Sequence, residues 1–300
     1  MFQGPAVSAG TVDSAFFFMV AAAAVLLFLV MTVTAVFVVR YRAKRHPLPV
    51  PVKDSTLLEV VWTVIPLALV MVMFYFGWVN FEFLRTPPPG SMPVEVTARQ
   101  WSWLFRYENG REEDLLRVPL GRPVSLSMTS VDVIHCLFIP AFRIKEDCVP
   151  GLKTHLWFAA DEAGTYELFC SEYCGVGHSH MRSQVIVMPE ADFDRWYLAP
   201  QETGAAAQGL KVLTSKGCLG CHSVDGSRGA GPSFKGLLGK QEAVISAGQE
   251  RTVMVDSEYI KRSILEPGSD VVKGYQAMMP RLPVTDEEWK EIIAYLETIK

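Results

Sequence analysis

The chain has 300 residues, a hydrophobic content of 50% and a formal net charge of −4. At about 100 to 200 residues per domain, this length allows two folded modules with additional segments, and the hydrophobic content is at the upper end of the soluble range. The slight acidity, with no basic cluster outside one short loop, speaks against a nucleic-acid-binding protein.

Two long apolar runs lie near the N-terminus. The first, residues 15–39, is uncharged and, at about 1.5 Å per residue, is long enough to cross a hydrocarbon core of ~30 Å. It is too long for the apolar part of a signal peptide and no basic residue precedes it, so we expect it to be retained as an anchor. A second run, residues 57–79, follows a loop that carries Arg40, Arg42, Lys44, Arg45 and Lys53. The positive-inside rule predicts that this loop is cytoplasmic, which places both termini outside.

The sequence changes character after residues 85–91, a Pro-rich stretch that is typical of a stiff linker. From residue 92 to residue 188, short segments rich in β-branched and aromatic residues alternate with Gly, Pro and Asp. Strands are predicted at residues 94–101, 123–128, 131–140, 155–158, 164–169 and 184–188. This pattern indicates a Greek-key β-sandwich.

A metal-binding motif lies in Cys170-Ser-Glu-Tyr-Cys174-Gly-Val-Gly-His178-Ser-His-Met181. Thiolate, thioether and imidazole donors together favour copper, and a Cys, two His and a weak Met are typical of an electron-transfer copper centre. Two Cys suggest two copper ions bridged by two sulfurs, with a second imidazole from His135. A zinc site is the main alternative, but structural zinc normally uses paired Cys and His knuckles, and Met has no role there. A disulfide between the two Cys is the other alternative.

The C-x-E-x-C-x3-H-x2-M spacing is highly specific, and residues 15–190 resemble subunit II of cytochrome c oxidase. The resemblance implies a cupredoxin fold for the β-rich region. It also implies a dinuclear copper A site whose ligands are His135, Cys170, Cys174, His178, Met181 and the backbone carbonyl of Glu172. In the family, the side chain of that glutamate also faces a magnesium site at the border with subunit I.

The same resemblance implies roles for two further residues. Trp101, in Gln100-Trp101-Ser-Trp103, matches the aromatic patch whose first Trp accepts electrons from cytochrome c, although a Trp in a strand is usually a packing residue. Glu59 lies about one turn inside the second span, where an ionised side chain costs on the order of a few kcal/mol. It matches the family's glutamate at the mouth of the K proton channel. The alternative is an interfacial Glu that reaches back to water.

A second metal motif, Cys218-Leu-Gly-Cys221-His222, is the attachment signature of a c-type haem. In this signature both thiols bind the vinyl groups and the His ligates iron. An amphipathic helical stretch precedes the motif, and a terminal helix is predicted over residues 285–299. The layout therefore resembles a small class I cytochrome c.

In that family the second axial ligand is a Met directly before Pro, which here is Met279 in Met278-Met279-Pro280. A Met ligand raises the haem potential into the range of electron carriers. Met278 is the alternative ligand. Two cysteines, Cys136 and Cys148, remain after copper and haem are supplied. They are either a disulfide, favoured in an oxidising compartment, or two buried thiols that act as small apolar residues.

We therefore expect a membrane-anchored, multi-domain chain. The expected parts are an extracytoplasmic tail (1–14), a two-helix transmembrane hairpin (15–90) with a basic cytoplasmic loop at about 40–55, an all-β cupredoxin Greek-key sandwich (91–192), a linker (193–206) and an all-α class I cytochrome c domain (207–300).

The whole resembles subunit II of a caa3-type oxidase, with cytochrome c fused at the C-terminus. The resemblance implies a multi-pass protein of the bacterial plasma (inner) membrane with both metal domains on the periplasmic side. Electrons would pass from covalent haem c to dinuclear copper A and on to subunit I of a proton-pumping terminal oxidase, where dioxygen is reduced to water. Neither span contains a His that could ligate haem or copper, so the catalytic centre must belong to a partner.

The expected partners are oxidase subunits I and III, the membrane, and an upstream donor complex or a small cytochrome or copper carrier, but no nucleic acid. One alternative is the electron-input subunit of a copper A nitric oxide reductase. A copper-delivery or storage protein is disfavoured because it would need neither a tethered haem nor Glu59.

Overall fold

The structure is a computed structural model that describes residues 4–48, 51, 53–201 and 203–300. It begins with two long helices, α1 (Val7–Arg40) and α2 (Thr56–Arg85). Their apolar windows have mean hydropathies of 2.8 and 2.4 and are not buried inside the chain, so both helices are long and apolar enough to cross a membrane. The side chain of Ser55 caps α2 by accepting a hydrogen bond from the Leu58 N–H.

The first helix is fastened to the domain that follows it. It starts at Val7, earlier than the expected span, and Ala6 forms an antiparallel bridge with Ala160. The buried hydroxyl of Ser8 donates to the Phe142 carbonyl at 2.7 Å. The described part of the expected N-terminal tail is therefore packed against the sandwich.

Ten strands form two packed five-stranded sheets. In chain order they are β1 (Met92–Arg99), β2 (Ser102–Tyr107), β3 (Glu112–Glu113), β4 (Leu116–Pro119), β5 (Val124–Ser130), β6 (His135–Ile139), β7 (Ile144–Cys148), β8 (Thr154–Phe158), β9 (Gly164–Cys170) and β10 (Arg182–Met188). One sheet has the order β3-β2-β1-β5-β8 and the other β4-β10-β9-β6-β7. β1 pairs with β5 and β4 with β10 in parallel, whereas all other neighbours are antiparallel.

The core lies between the two sheets. Alternate residues of β1 and β5 are buried, as the period of two in a strand requires. The largest fully buried side chains of the sandwich include Trp103, Phe105, Phe142, Phe158 and Met128. The strand predicted over residues 131–140 starts only at residue 135, because residues 131–134 form a turn.

A short helix, α3 (Glu190–Leu198), closes the sandwich. Phe193 is fully buried in the sandwich core, and Trp196 and Tyr197 pack against it. The stretch expected as a linker therefore begins inside a folded helix.

The C-terminal part contains three helices, α4 (Ala205–Ser215), α5 (Ser257–Leu265) and α6 (Asp286–Leu296). α4 and α6 cross closely at Gly209, where an added Cβ would lie 1.9 Å from the Glu291 carbonyl oxygen. A small sheet of β11 (Gln241–Ser246), β12 (Gln249–Met254) and β13 (Val271–Val272) accompanies the expected helices, and the sequence patterns did not indicate it.

Candidate copper and haem sites

Three segments of the sandwich bring the predicted copper ligands together. His135 opens β6, Cys170 ends β9, and the loop from β9 to β10 carries Cys174, His178 and Met181. Because β6 and β9 are hydrogen-bonded neighbours in one sheet, their ends meet at one edge. The structure thus assembles residues that are up to 46 positions apart, since Met181 follows His135 by that number (181 − 135).

The side chains form an elongated cluster with the two sulfurs in the middle. The Sγ atoms of Cys170 and Cys174 are 3.8 Å apart. His135 Nδ1 lies 3.9 Å from the first sulfur, and His178 Nδ1 lies 3.5 Å from the second. Met181 Sδ is 3.9 Å from the Cys174 sulfur. One imidazole therefore lies beside each sulfur.

The remaining predicted ligand also belongs to this cluster. The backbone carbonyl oxygen of Glu172 lies 3.2 Å from the Cys170 sulfur. The Glu172 side chain itself is exposed. Within the described residues, the ligand atoms of His135, Cys170 and Cys174 form the compact metal-binding group, all within 4.8 Å of one another. His178 is not part of that group because it lies at the far end of the cluster.

Burial and mutual hydrogen bonding set the ionisation of the two thiols. Burial opposes ionisation of Cys170, but hydrogen bonds with His135 and Cys174 lower its pKa below the usual value. Burial and the neighbouring charge of Cys170 raise the pKa of Cys174. Without a metal the pair therefore carries at most one negative charge near neutral pH. A soft cation that binds thiolates would release a proton from Cys174.

A tryptophan lies directly against this cluster. Trp101 is 7% exposed, and its indole N–H donates to the Cys174 carbonyl at 3.0 Å. The ring also packs on Gly177, where an added Cβ would lie 2.2 Å from the ring atom Cδ2. The site therefore requires glycine at residue 177 for its contact with the indole.

The haem motif lines a cavity in the C-terminal domain. Cys218, Cys221, His222 and Met279 all line this cavity, whose walls are mostly apolar and include Leu213, Phe234, Ile260, Leu282, Ile292 and Leu296. Burial raises the pKa of Cys218 to about 11, so this thiol stays protonated at neutral pH. The cavity thus offers two thiols, an imidazole and a thioether in an apolar setting, which fits a covalently attached haem.

The imidazole of His222 is held for metal binding by its surroundings. Its Nδ1 lies 2.7 Å from the Pro232 carbonyl, which therefore accepts the Nδ1 proton. Nε2 is left without a proton to bind iron. Burial lowers the pKa of His222, which favours the neutral ring. Phe234 stacks on this ring, with the two ring centroids 4.6 Å apart. An added Cβ on Gly231 would lie 2.5 Å from Cε1 of His222.

The two candidate axial methionines have different surroundings. Both line the haem cavity. The side chain of Met278 also packs against the sandwich core. This second contact engages Met278 at the interface between the domains and favours Met279 as the side chain available to iron.

The strand predicted over residues 94–101 ends at Arg99, and Gln100 and Trp101 form the turn between β1 and β2. The haem motif is packed directly against this turn. An added Cβ on Gly217 would lie 2.0 Å from Ser102 Oγ, and one on Gly220 would lie 2.9 Å from the Trp101 carbonyl oxygen. Trp101 and Gln100 also form part of the wall of the haem cavity. The surface around Trp101 is therefore covered by the C-terminal domain of the same chain.

Two predicted features remain outside these two sets of ligands. Glu59 is in the first turn of α2, next to the Ser55 cap and remote from the sandwich, and its side chain is exposed.

Cys136 and Cys148 are buried free thiols. Cys148 is opposite His135 in the β6–β7 pairing whereas Cys136 is opposite Asp147, so the two thiols point to opposite faces of the sheet. The geometry does not allow the disulfide, because bridged cysteines need Cβ atoms about 3.5–4.5 Å apart.

Sequence reasoning missed Asp132 and the side chain of Gln100. An Asp132 carboxylate oxygen lies 2.8 Å from His135 Nε2, and the Gln100 amide donates to the Cys174 carbonyl at 2.8 Å. The one available signal was the three-residue spacing of Asp132 and His135, which is common and carries little information by itself.

Three family matches cover most of the chain. Residues 4–77 match the family described as cytochrome c oxidase subunit II, transmembrane domain, and residues 111–188 match its periplasmic domain. Residues 206–300 match the cytochrome c family. These matches imply a copper A site in the sandwich and a haem c in the C-terminal domain.

Two similar proteins are named as subunit 2 of a cytochrome c oxidase. Cytochrome c oxidase subunit 2 of Alkalihalophilus pseudofirmus is 31% identical over 289 residues, which cover 88% of this chain and 80% of the relative. The alternative cytochrome c oxidase subunit 2 of Bradyrhizobium diazoefficiens is 33% identical over 169 residues, covering 46% of this chain and 61% of the relative.

A solved structure of the periplasmic domain of cytochrome oxidase subunit II from Bradyrhizobium japonicum is 28% identical, with a TM-score of 0.35, and covers 37% of this chain and 94% of that one. The A. pseudofirmus relative matches over most of its length, and the family matches lie in the same order as the observed helices, sandwich and C-terminal domain. The chain belongs to the cytochrome c oxidase subunit II family, a component of a haem–copper oxidase, and it carries a C-terminal cytochrome c domain.

Proposed function

We propose that the chain is subunit II of a caa3-type, proton-pumping terminal oxidase. In this function, electrons pass from haem c to a dinuclear copper A centre and then to subunit I, which reduces dioxygen to water. The observation that carries the proposal is the position of Trp101. It forms part of the haem cavity wall and donates a hydrogen bond to the Cys174 carbonyl at 3.0 Å.

The copper residues are suited to electron transfer without rearrangement. Copper A, when bound, supplies a centre that takes up and gives off one electron. His135 and Cys170 lie on neighbouring strands of a packed sheet, and His135, Cys174 and Met181 are almost completely buried. Side chains fixed by a rigid core keep their positions when the charge changes, which keeps the reorganisation energy small.

Different residues would attach the haem and bind its iron. Cys218 and Cys221 would form the thioether bonds, and His222 and Met279 would bind iron. The Pro232 carbonyl keeps Nε2 of His222 unprotonated, and the packing of Met278 on the sandwich leaves Met279 for iron. A thioether ligand raises the haem potential into the range of electron carriers.

The packing of the two domains makes electron transfer intramolecular. The close contacts of Gly217 with Ser102 and of Gly220 with Trp101 hold the haem motif at the copper end of the sandwich. A tethered partner is present at about millimolar effective concentration or above. The donor complex or small carrier would then deliver electrons to the haem domain and not to the surface of Trp101.

The remaining parts of the proposal concern the membrane and subunit I. We place the chain in the bacterial plasma membrane with α1 and α2 packed against subunit I, the loop at about 40–55 in the cytoplasm and both metal domains in the periplasm. The exposed apolar surfaces of both helices support this arrangement. Glu172 would face a magnesium ion at the border with subunit I. Glu59 would stand at the mouth of the K channel, and subunit III would complete the assembly.

Metal analysis of the purified full chain tests the copper and haem assignment. We expect two copper atoms and one covalent haem per chain. Cys170→Ser should remove the copper signal while the haem spectrum remains. Cys136→Ser is the matched control, because this thiol is equally buried but points away from the copper cluster. One copper, or zinc, in the wild type would contradict the dinuclear centre.

Rapid mixing of the complex with a reductant tests the order of electron flow. We expect haem reduction first, followed by copper reduction at a rate independent of protein concentration. Met279→His should lower the haem potential by loss of the thioether, whereas Met278→His should leave iron ligation intact. Copper reduction before haem, at a rate that rises with protein concentration, would contradict an intramolecular path. Oxygen uptake and nitric oxide uptake by the same complex distinguish the oxidase from the reductase alternative.

A further inference from the structure

Asp132 is a hydrogen-bonding centre beside the copper cluster. Its carboxylate accepts three hydrogen bonds, from His135 Nε2 (2.8 Å), the Gln100 N–H (2.7 Å) and the Val133 N–H (2.7 Å). Its side chain is 28% exposed and that of His135 is 0% exposed. The carboxylate therefore holds a buried ring from the solvent side.

This contact decides which nitrogen of His135 can bind a metal. Because the carboxylate accepts a hydrogen bond from the protonated Nε2, the lone pair of the neutral ring is on Nδ1. Nδ1 is the nitrogen that lies 3.9 Å from the Cys170 sulfur. Carboxylates that accept the second N–H of a metal-bound His fix the ring orientation and raise the basicity of the ligand.

The same carboxylate also reaches the second copper loop through Gln100. The backbone N–H of Gln100 donates to Oδ2 of Asp132, and its side-chain amide donates to the Cys174 carbonyl at 2.8 Å. Trp101 donates to that carbonyl as well. A short chain of hydrogen bonds thus joins the His135 turn to the Cys174 loop, and it passes through the dipeptide on which the haem domain packs.

The two carboxylate oxygens of Asp132 accept hydrogen bonds from different partners. Oδ1 accepts hydrogen bonds from His135 and Val133, whereas Oδ2 accepts one from Gln100. An asparagine with its oxygen toward His135 would place its NH2 group against the Gln100 N–H, so that two donors face each other. Asp132→Asn therefore breaks the link to the Cys174 loop and leaves an acceptor for His135, while Asp132→Ala removes both.

We propose that Asp132 is a positioning residue that fixes the metal-binding nitrogen of His135 and, through Gln100, ties His135 to the Cys174 loop. This inference rests on the proposed function, because it requires copper in the cluster. Asp132 lies outside the copper and haem motifs of the sequence.

The experiment uses the full chain in detergent, with Asp132→Ala, Asp132→Asn and the control Glu162→Gln. Glu162 is an exposed carboxylate of the same domain that precedes the start of β9 at Gly164, whereas the copper ligand Cys170 lies at the other end of that strand. Copper affinity is measured by competition with a chelator. The orientation of His135 is read from the nitrogen hyperfine couplings of the copper EPR signal, and the copper reduction potential is measured in the same samples.

We expect Asp132→Ala to weaken copper binding about 10- to 100-fold, the usual effect of losing such a partner, and to change the nitrogen couplings. Asp132→Asn should retain nearly normal coupling to His135 but shift the potential. The control should match the wild type, and the haem spectrum should be unchanged in all variants. Wild-type affinity, couplings and potential in Asp132→Asn would overturn the link to Gln100, and the same result in Asp132→Ala would overturn the whole inference. A wild type without copper would instead overturn the proposed function.

Discussion

Gly217 offers a direct test of whether the haem domain must lie on Trp101. It has a φ of +78° and precedes the haem motif, and an added Cβ would lie 2.0 Å from Ser102 Oγ and 3.0 Å from Ser102 Cβ. Gly217→Ala therefore has two costs. The left-handed backbone costs about 1–2 kcal/mol, but it is present whether or not the domains are in contact. The collision with Ser102 exists only in the docked state and, as overpacking, costs about 1–3 kcal/mol.

The collision alone should lower the ratio of docked to undocked molecules by roughly 5- to 150-fold, since about 1.4 kcal/mol corresponds to a factor of ten. Ser102→Gly removes both atoms in the collision, and the next neighbour, Arg99 Cδ, is 3.3 Å away on a flexible side chain. The double variant Gly217→Ala/Ser102→Gly should therefore recover docking, because the backbone cost is common to both variants. Ser102→Gly alone is the control.

Two measurements check this prediction. Amide hydrogen exchange in the peptides around residues 99–103 and 217–220 reports the opening of the interface. Rapid mixing reports the rate of haem-to-copper electron transfer. The single variant should exchange faster and transfer electrons more slowly, and the double variant should return toward the wild type. Wild-type behaviour of Gly217→Ala, or a defect that Ser102→Gly does not relieve, would refute docking at Ser102 as the cause.

Three further predictions concern other parts of the chain. Ser8→Ala leaves a buried carbonyl of the sandwich without its donor, so it should lower the free energy of unfolding of the sandwich by about 1–3 kcal/mol; an unchanged melting temperature would argue against the N-terminal anchor. Burial opposes the ionisation of Asp270, but hydrogen bonds from Arg251 and Arg262 lower its pKa below 3.8. Its contribution to stability is therefore complete above about pH 4 and is lost as the pH falls through the lower, folded-state pKa. Asp270→Asn should destabilise the haem domain at pH 7 and flatten its acid unfolding curve, measured from the haem absorption; parallel curves for the two proteins would contradict this. Glu59→Gln should slow oxygen uptake while haem-to-copper transfer stays normal, and unchanged uptake would favour an interfacial glutamate.

Much of the chain could be predicted because the relevant information is local. The apolar runs of α1 and α2 are long enough to cross the hydrocarbon core of a bilayer, so hydropathy alone located them. The copper loop and the haem motif hold most of their donors within a few residues, and donor chemistry with spacing indicates the metal. The terminal helix was likewise predictable, since Thr285 and Glu288 form a capping box at its start.

Other features depended on contacts between distant segments. The expected strand at residues 131–140 starts late because the hydrogen bonds of Asp132 favour a turn, and those bonds require Gln100 and His135 to be close in space. The choice between a disulfide and two thiols at Cys136 and Cys148 was decided by the register of β6 and β7, because a shift of one residue reverses the face of a side chain.

By itself, the sequence determined which donor atoms are available and which segments are long and apolar enough to cross a membrane, because both depend on neighbouring residues along the chain. Only the tertiary structure decided how these parts are joined. Asp132 reaches His135 and Gln100, and Trp101 lies between the Cys174 loop and the haem cavity. The physical reason is that such contacts arise from the packing of whole sheets and domains, which no local spacing of residues specifies.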